Sequence, residues 1–391
     1  MVSFIEFHFN SKYLFLLILF PVFYCFREYL YSKIISIEGE ENPITISQND
    51  KRNPMLFTLI MFLGEMTSGL FELRIKRLTK SNTTLLNSKT QKEYKRNIKF
   101  EIIILIIIVS IDLSVYTILN VITMNDIYKS YQSLNPIVKL IEIIVMGYLS
   151  SKILNSPIHP HQIVCIILFI ICIIIGIIIE GYTQYNEQTT FSFQSYFLFL
   201  FISIVLFTLN SFQFILEKYI IDKKYYSPYL LLLCIGSIGI VFIIIILSLC
   251  QITNLQWSFT EVFGNLKIYD LSDWGKIFLI YVCGTFLNVC LMIIVQKLTP
   301  QHVGIGNAIS GILSVTIINN KNIIFMTIVK NILFFIIFFV CLIYTEIIVL
   351  NVCSLGDYTK NEIDKRGIRE TQNIESQLTE QVIENEQIDD F

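Results

Sequence analysis

IVCIILFIICIIIGIII, residues 163–179, decides which solvent this chain folds in. No residue in it is charged, and only Gly176 and two cysteines interrupt the branched and aromatic side chains. A helix needs roughly 20 such residues to cross the hydrocarbon core of a bilayer. A second run, IIILIIIVSI at 102–111, has the same character. Across all 391 residues, 54% are hydrophobic and 15% charged, against about 25% charged in soluble domains. The bilayer is therefore much of the solvent, and the chain reads as an all-α polytopic membrane protein. The net charge of −2, with no basic patch interleaved with aromatics, gives no sign of nucleic-acid binding.

Ten candidate spans follow: 13–31, 55–73, 100–121, 130–154 and 162–179, then 193–216, 229–249, 277–295, 303–318 and 323–348. The polar break EGYTQYNEQTT (180–190) divides them five and five. The ninth is short and rich in Gly and Asn. The first is flanked by charge and lacks a small-residue cleavage site, so it reads as a retained span rather than a signal peptide. The expected organisation is a first five-helix repeat (1–180) with a basic cytosolic loop (74–99), a non-cytosolic linker (181–192), a second repeat (193–350) and a disordered polar cytosolic tail (351–391). Lys and Arg crowd the loop between spans two and three, Lys218, Lys223 and Lys224 follow span six, and the midpoint break holds none. Positive loops stay in the cytosol, so both termini are expected there, with an even number of spans. Asn82-Thr83-Thr84 is a glycosylation sequon in the basic loop, and glycosylation there would invert this topology. The nine cysteines form no CxxC pair, and eight lie in apolar runs, as buried free thiols would.

Ionisable residues inside a membrane are costly and usually functional. They are Glu65 in span two, Asp112 in three, Lys139 and Glu142 in four, and Lys330 and Glu346 in ten. Arg27 and Glu28 lie near the end of span one, where snorkelling accounts for them. Glu217 ends span six. Lys139 and Glu142 are three apart and share a helical face. Two readings stay open for that pair: an ion pair that locks span four to its neighbours, or a face that lines a water-filled cavity. Pro136 favours the second, because a proline frees a backbone carbonyl, and such groups are tolerated in membranes where they are buried in protein or line a cavity. Span nine is the counterpart of span four in a five-plus-five duplication. It carries Gly304, Gly306, Asn307 and Gly311 after Pro300. Paired interrupted segments point to a carrier's binding site; close helix packing is the other account of the glycines. His159 and His161 read as loop residues. No HExxH, GxSxG or GxxxxGK[ST] motif and no paired intramembrane aspartates occur, so a membrane enzyme has no visible apparatus.

Four stretches carry a resemblance: NPMLFTLIMFLGE (53–65), YQSLNPIVKLIEIIVMGYLSSKIL (131–154), FQFILEKYIIDKKYYSP (212–228) and FLNVCLMIIVQKLTP (286–300). In this order, on ten spans, the chain up to the polar tail resembles the drug/metabolite transporter superfamily, specifically the nucleotide-sugar-transporter-like EamA proteins of solute carrier family 35, subfamily F. The resemblance implies ten transmembrane helices as a five-plus-five inverted repeat, a cavity between the halves and residence in an internal membrane. Glu65, Gln132, Gln213 and Glu217 match its pattern. Its fourth-span arginine falls on Asn135 and the following glycine on Pro136. Its ninth-span arginines are absent around Val303 and Ser310. Lys139, one turn after Asn135, restores a positive charge on nearly the same face.

The expectation is a secondary transporter of a small polar, anionic metabolite working by alternating access. Tyr131, Gln132, Asn135, Lys139, Glu142, Gln213 and Asn307 would bind the substrate, with Lys139 on the anionic group. Glu65, Asp112 and Glu217 would serve coupling or structure. No catalytic residue, metal ligand or cofactor is implied. The partners are the small-molecule substrate and the lipid bilayer, with a homodimer compatible. The alternative is a non-transporting membrane adaptor that keeps the transporter fold.

Overall fold

The computed structural model describes residues 5–7, 11–35, 53–79, 98–124, 134–187, 192–224, 227–253, 258–264, 266, 269–318 and 324–350. The described chain is all-α apart from two three-residue strands. Its helices are α1 (Ser11–Ile35), α2 (Pro54–Thr79), α3 (Ile98–Met124), α4 (Asn135–Val138), α5 (Leu140–Ile153), α6 (Pro160–Glu187), α7 (Phe193–Lys224), α8 (Pro228–Ile252), α9 (Phe259–Gly264), α10 (Leu271–Lys297), α11 (Pro300–Ile318) and α12 (Ile324–Tyr344). Five stretches are long and apolar enough to cross a membrane: Lys99–Ile122, Pro160–Tyr185, Phe193–Lys223, Pro228–Ile252 and Leu271–Lys297. Pro54–Leu70 and Ile328–Tyr344 are shorter apolar helical stretches. This fits an integral multi-pass membrane protein.

Local chemistry sets the helix starts. Four of these helices, α2, α6, α8 and α11, open on proline. Its missing N–H is one that a helix start leaves unbonded anyway, and its φ is already helical. Asn53 caps α2, its Oδ1 accepting from the backbone N–H of Met55 at 3.0 Å and of Leu56 at 3.3 Å.

Some boundaries differ from the sequence expectation. α6 continues through the first part of the midpoint break, to Glu187. There Gln184 donates to Glu180 at 2.8 Å and Thr183 to the Ile179 carbonyl at 2.8 Å, so polar side chains support the helix rather than end it. α12 stops at Tyr344 and Glu346 takes φ 59°, placing that carboxylate in the turn after the helix rather than within a span. The loop 80–97, with its sequon, and the tail beyond Leu350 lie outside the described residues.

β1 (Ile5–Phe7) pairs antiparallel with β2 (Ile348–Leu350), Ile5 opposite Leu350 and Phe7 opposite Ile348. Both ends of the described chain therefore lie on one side of the bundle.

α1 packs on α10 and α11; α7 packs on α3 and α5. α2 packs on α10, and α3 on α8. α2 also crosses α8, α6 crosses α12, and α11 crosses both α4 and α5. The α2–α8 crossing is the closest. A Cβ at Gly239 would clash with the Phe62 ring, and one at Gly236 with the backbone of Met66. Small residues are what allow such an approach between helices in lipid. Outward faces are apolar, as on α6, where Ile167, Ile174 and Ile178 are exposed.

Candidate functional site

Span four tightens at Lys139. The α4 turn ends at Val138, Lys139 sits at the junction, and α5 begins at Leu140. The Lys139 N–H still donates to the Asn135 carbonyl at 3.0 Å, but the Lys139 carbonyl accepts from Glu142 N at 3.0 Å, a tighter three-residue turn. Pro136 lies in the first turn, where it is tolerated. The face of α11 opposite is built for contact. A Cβ at Gly311 would come within 3.1 Å of Pro136 Cα, and one at Gly304 within 3.2 Å of Ile143. The glycines of span nine thus give close packing against span four.

Lys139 is 4% exposed and points into the protein. Its ammonium donates to Tyr24 Oη on α1 at 2.8 Å and lies 4.4 Å from that ring's centroid. The Arg27 guanidinium sits over the same ring at 4.8 Å. Arg27 is ion-paired to Glu28 at 2.9 Å and reaches the Met61 sulfur of α2 at 3.8 Å. Two cations thus share one aromatic ring, with Glu28 paired to Arg27. No carboxylate lies within 4.0 Å of the Lys139 ammonium among the described residues.

Arg27 is turned towards Tyr24 and Met61, and Tyr24, Arg27, Glu28 and Tyr31 recur at helical spacing along one side of α1. Tyr31 donates to Asn120 of α3 at 2.9 Å.

Glu142 does not pair directly with Lys139. Its Oε1 accepts from Asn210 of α7 at 2.7 Å and its Oε2 from Asn307 of α11 at 2.9 Å. Ser211 donates to its backbone carbonyl at 3.4 Å. The carboxylate, 1% exposed, therefore ties α5 to both α7 and α11. Two amide donors with fixed positions hold it better than a long ammonium that already has a phenol and a ring to rest on.

Gln213, expected beside the substrate, belongs to a second cluster. Asn210, Gln213 and Glu217 recur at three and four residues along α7, so one helix face serves both clusters. Gln213 Nε2 donates to Glu217 Oε1 at 2.9 Å, and the same amide reaches Asp112 of α3. Glu65 of α2 accepts from Tyr116 of α3 at 2.9 Å. Glu65, Asp112 and Glu217 are 3%, 2% and 1% exposed and close enough to repel one another. Asn135 opens α4; Tyr131 and Gln132 lie outside the described residues.

Farther off, Lys330 of α12 is ion-paired to Glu180 of α6 at 2.8 Å. His161 is not a loop residue: it lies in the first turn of α6, 5% exposed, 3.3 Å from Glu346. Among the described residues, no group of three or more metal-ligating side chains could hold a metal ion.

A scan against protein-family models finds no match, and a search of curated proteins finds no relative.

Proposed function

We propose that this protein is a secondary transporter of a small polar, anionic metabolite, with ten spans in a five-plus-five inverted repeat that work by alternating access. One observation carries the reading: a buried ammonium at a tightened helical turn, 2.8 Å from the Tyr24 hydroxyl and with no carboxylate within 4.0 Å among the described residues. A buried charge is costly unless it is paired. An anionic group entering beside Tyr24 would complete the pairing, with Arg27 across the ring.

The packing pattern supports the repeat. Exchanging α1 with α7, α2 with α8, α3 with α10, α4–α5 with α11, and α6 with α12 turns the most extensive crossings into others that are present, while the α10–α11, α7–α10 and α7–α11 contacts have no counterpart. The α1–α10 contact becomes α7–α3, α1–α11 becomes α7–α5, and α2–α10 becomes α8–α3. The α2–α8, α6–α12 and α5–α11 contacts map onto themselves. A pair of halves related in this way can rock about a shared site. The strand pair agrees with an even number of crossings. Resemblance to the drug/metabolite transporters, nucleotide-sugar-transporter-like proteins in particular, points to the same class of cargo and to an internal membrane.

A membrane adaptor that keeps this fold without transporting is the second reading. The tight fit of Gly304 and Gly311 against Ile143 and Pro136 favours it, since a sealed interface needs no opening. The discriminating experiment is uptake into liposomes holding the purified protein, over a panel of nucleotide sugars, nucleotides and organic acids. The transporter reading expects at least one cargo, carried by the wild type and by Lys139→Arg and lost with Lys139→Met. A panel that is never taken up and never shifts the melting temperature supports the adaptor.

A further inference from the structure

Glu65, Asp112 and Glu217 come from three different helices, and each keeps one buried oxygen that has no hydrogen-bond partner among the described residues: Glu65 Oε2, Asp112 Oδ2 and Glu217 Oε2. A fourth such oxygen is not part of any carboxylate. Gln213, 4% exposed, inserts its amide between Asp112 and Glu217, and its Oε1 has no donor. The donors present are Tyr116 O–H and the two N–H of Gln213. Four acceptors are left over. In a bilayer interior each unsatisfied group costs several kcal/mol.

A proton on a carboxyl oxygen turns an acceptor into a donor. Each O–H···O contact then satisfies two oxygens, so two protons are the number that pairs all four. Among the described residues no neighbouring side chain makes a hydrogen bond to these four oxygens. α1 brings Arg27, whose Nη groups reach Glu28 and Met61 and whose Nε, like Thr117 Oγ1 on α3, has no partner among the described residues, and Tyr24, whose oxygen accepts from Lys139. α10 brings Tyr281, which donates to Thr67, and the Cys283 thiol. On α7, Lys218 turns away to the Gln296 carbonyl at 3.1 Å and to Asp222. α8, packed on both α2 and α3, brings the Cys234 thiol.

We propose that Glu65, Asp112, Glu217 and Gln213 form a two-proton site, loaded in the closed form described here and exchanging its protons with water when the two halves part. The loading stands by itself; the exchange rests on the transporter reading above. Each step is a simple proton transfer between a carboxylate and water, with no other reactant.

Infrared spectroscopy of the full-length protein in lipid tests both parts without any cargo, through the carbonyl stretch of neutral carboxylic acids. At neutral pH the wild type is expected to show this band. Asp112→Asn, nearly isosteric, should reduce it by about half, since one of two shared protons loses its seat, and Glu65→Gln with Asp112→Asn and Glu217→Gln should abolish it. An absent band, or one that survives the triple replacement in protein whose melting shows it folded, overturns the site. On transfer to D₂O the band should shift as its protons exchange. A band that persists unshifted in D₂O overturns the exchange while leaving the loaded site intact. A band that shifts in a protein without any transport would keep the proton site and sink only the transporter reading.

Discussion

Replacing Glu142 with Gln removes one formal charge and almost no volume, so its effect isolates the hydrogen bonds. The native carboxylate accepts from Asn210 and Asn307, one on each oxygen, at 2.7 and 2.9 Å. A carboxamide offers one acceptor and one NH₂. One asparagine NH₂ must then face another NH₂. Hydrogen bonds to charged groups contribute about 1.5–3 kcal/mol, and a buried donor left unsatisfied costs about 1–3 kcal/mol. Part of this is offset because a buried charge has gone. A net loss of about 2–3 kcal/mol is expected, from the loss of the bond and the new donor conflict together. The partner change is Asn307→Asp, which gives the introduced side-chain amide an acceptor. The double replacement reverses donor and acceptor across the α5–α11 contact and keeps Asn210 in place. It should recover most of the lost stability, leaving a coupling energy of the size seen for residues in contact, about 0.5–3 kcal/mol. The assay is thermal unfolding of wild type, both single variants and the double variant in lipid nanodiscs. A Glu142→Gln protein that melts with the wild type, or a double variant no better than the sum of the singles, refutes this latch.

Other expectations concern separate parts of the molecule. Lys330→Met should destabilise by about 3–5 kcal/mol, because it strands the Glu180 carboxylate buried without its partner, and adding Glu180→Leu should recover much of that in the same melting assay. Gly311→Leu should lower the melting temperature more than Gly275→Leu, since a Cβ at Gly311 meets Pro136 and Lys139 within 3.4 Å while one at Gly275 meets nothing within 4 Å. Asn82 should stay unglycosylated when the chain is translated into microsomes, and glycan addition there would reverse the orientation inferred from the basic loop.

Helix positions were legible because apolar runs of this length have one solution in lipid: all backbone groups bonded within the segment. The described part of each run is largely helical, while the irregularity in the fourth falls at Lys139, three residues after its proline. What an apolar run does not encode is the direction of its few polar side chains. Arg27 near a span end suggested an exit to the headgroups; instead Tyr24, one turn earlier, gives its guanidinium a ring inside the bundle. Asn210, a neutral amide in a long apolar helix, carries no charge signal, although its spacing from Gln213 and Glu217 marks a polar stripe. Lys139 and Glu142 satisfied the spacing rule for an ion pair, yet the third dimension supplied each with closer partners. Glu180 opens the polar stretch 180–190, yet α6 runs on beyond it and carries its carboxylate into the bundle.

The short ladder between Ile5–Phe7 and Ile348–Leu350 gives the molecule a mechanical property. Ile5 and Leu350 form its outermost pair, so a tether pulling on the two ends loads it one rung at a time, in the zipper direction rather than in shear. Until the last rung opens, the helices between form a closed hoop. The first event under force is therefore expected to be a small extension at low tension, ahead of any extraction of a helix from the bilayer.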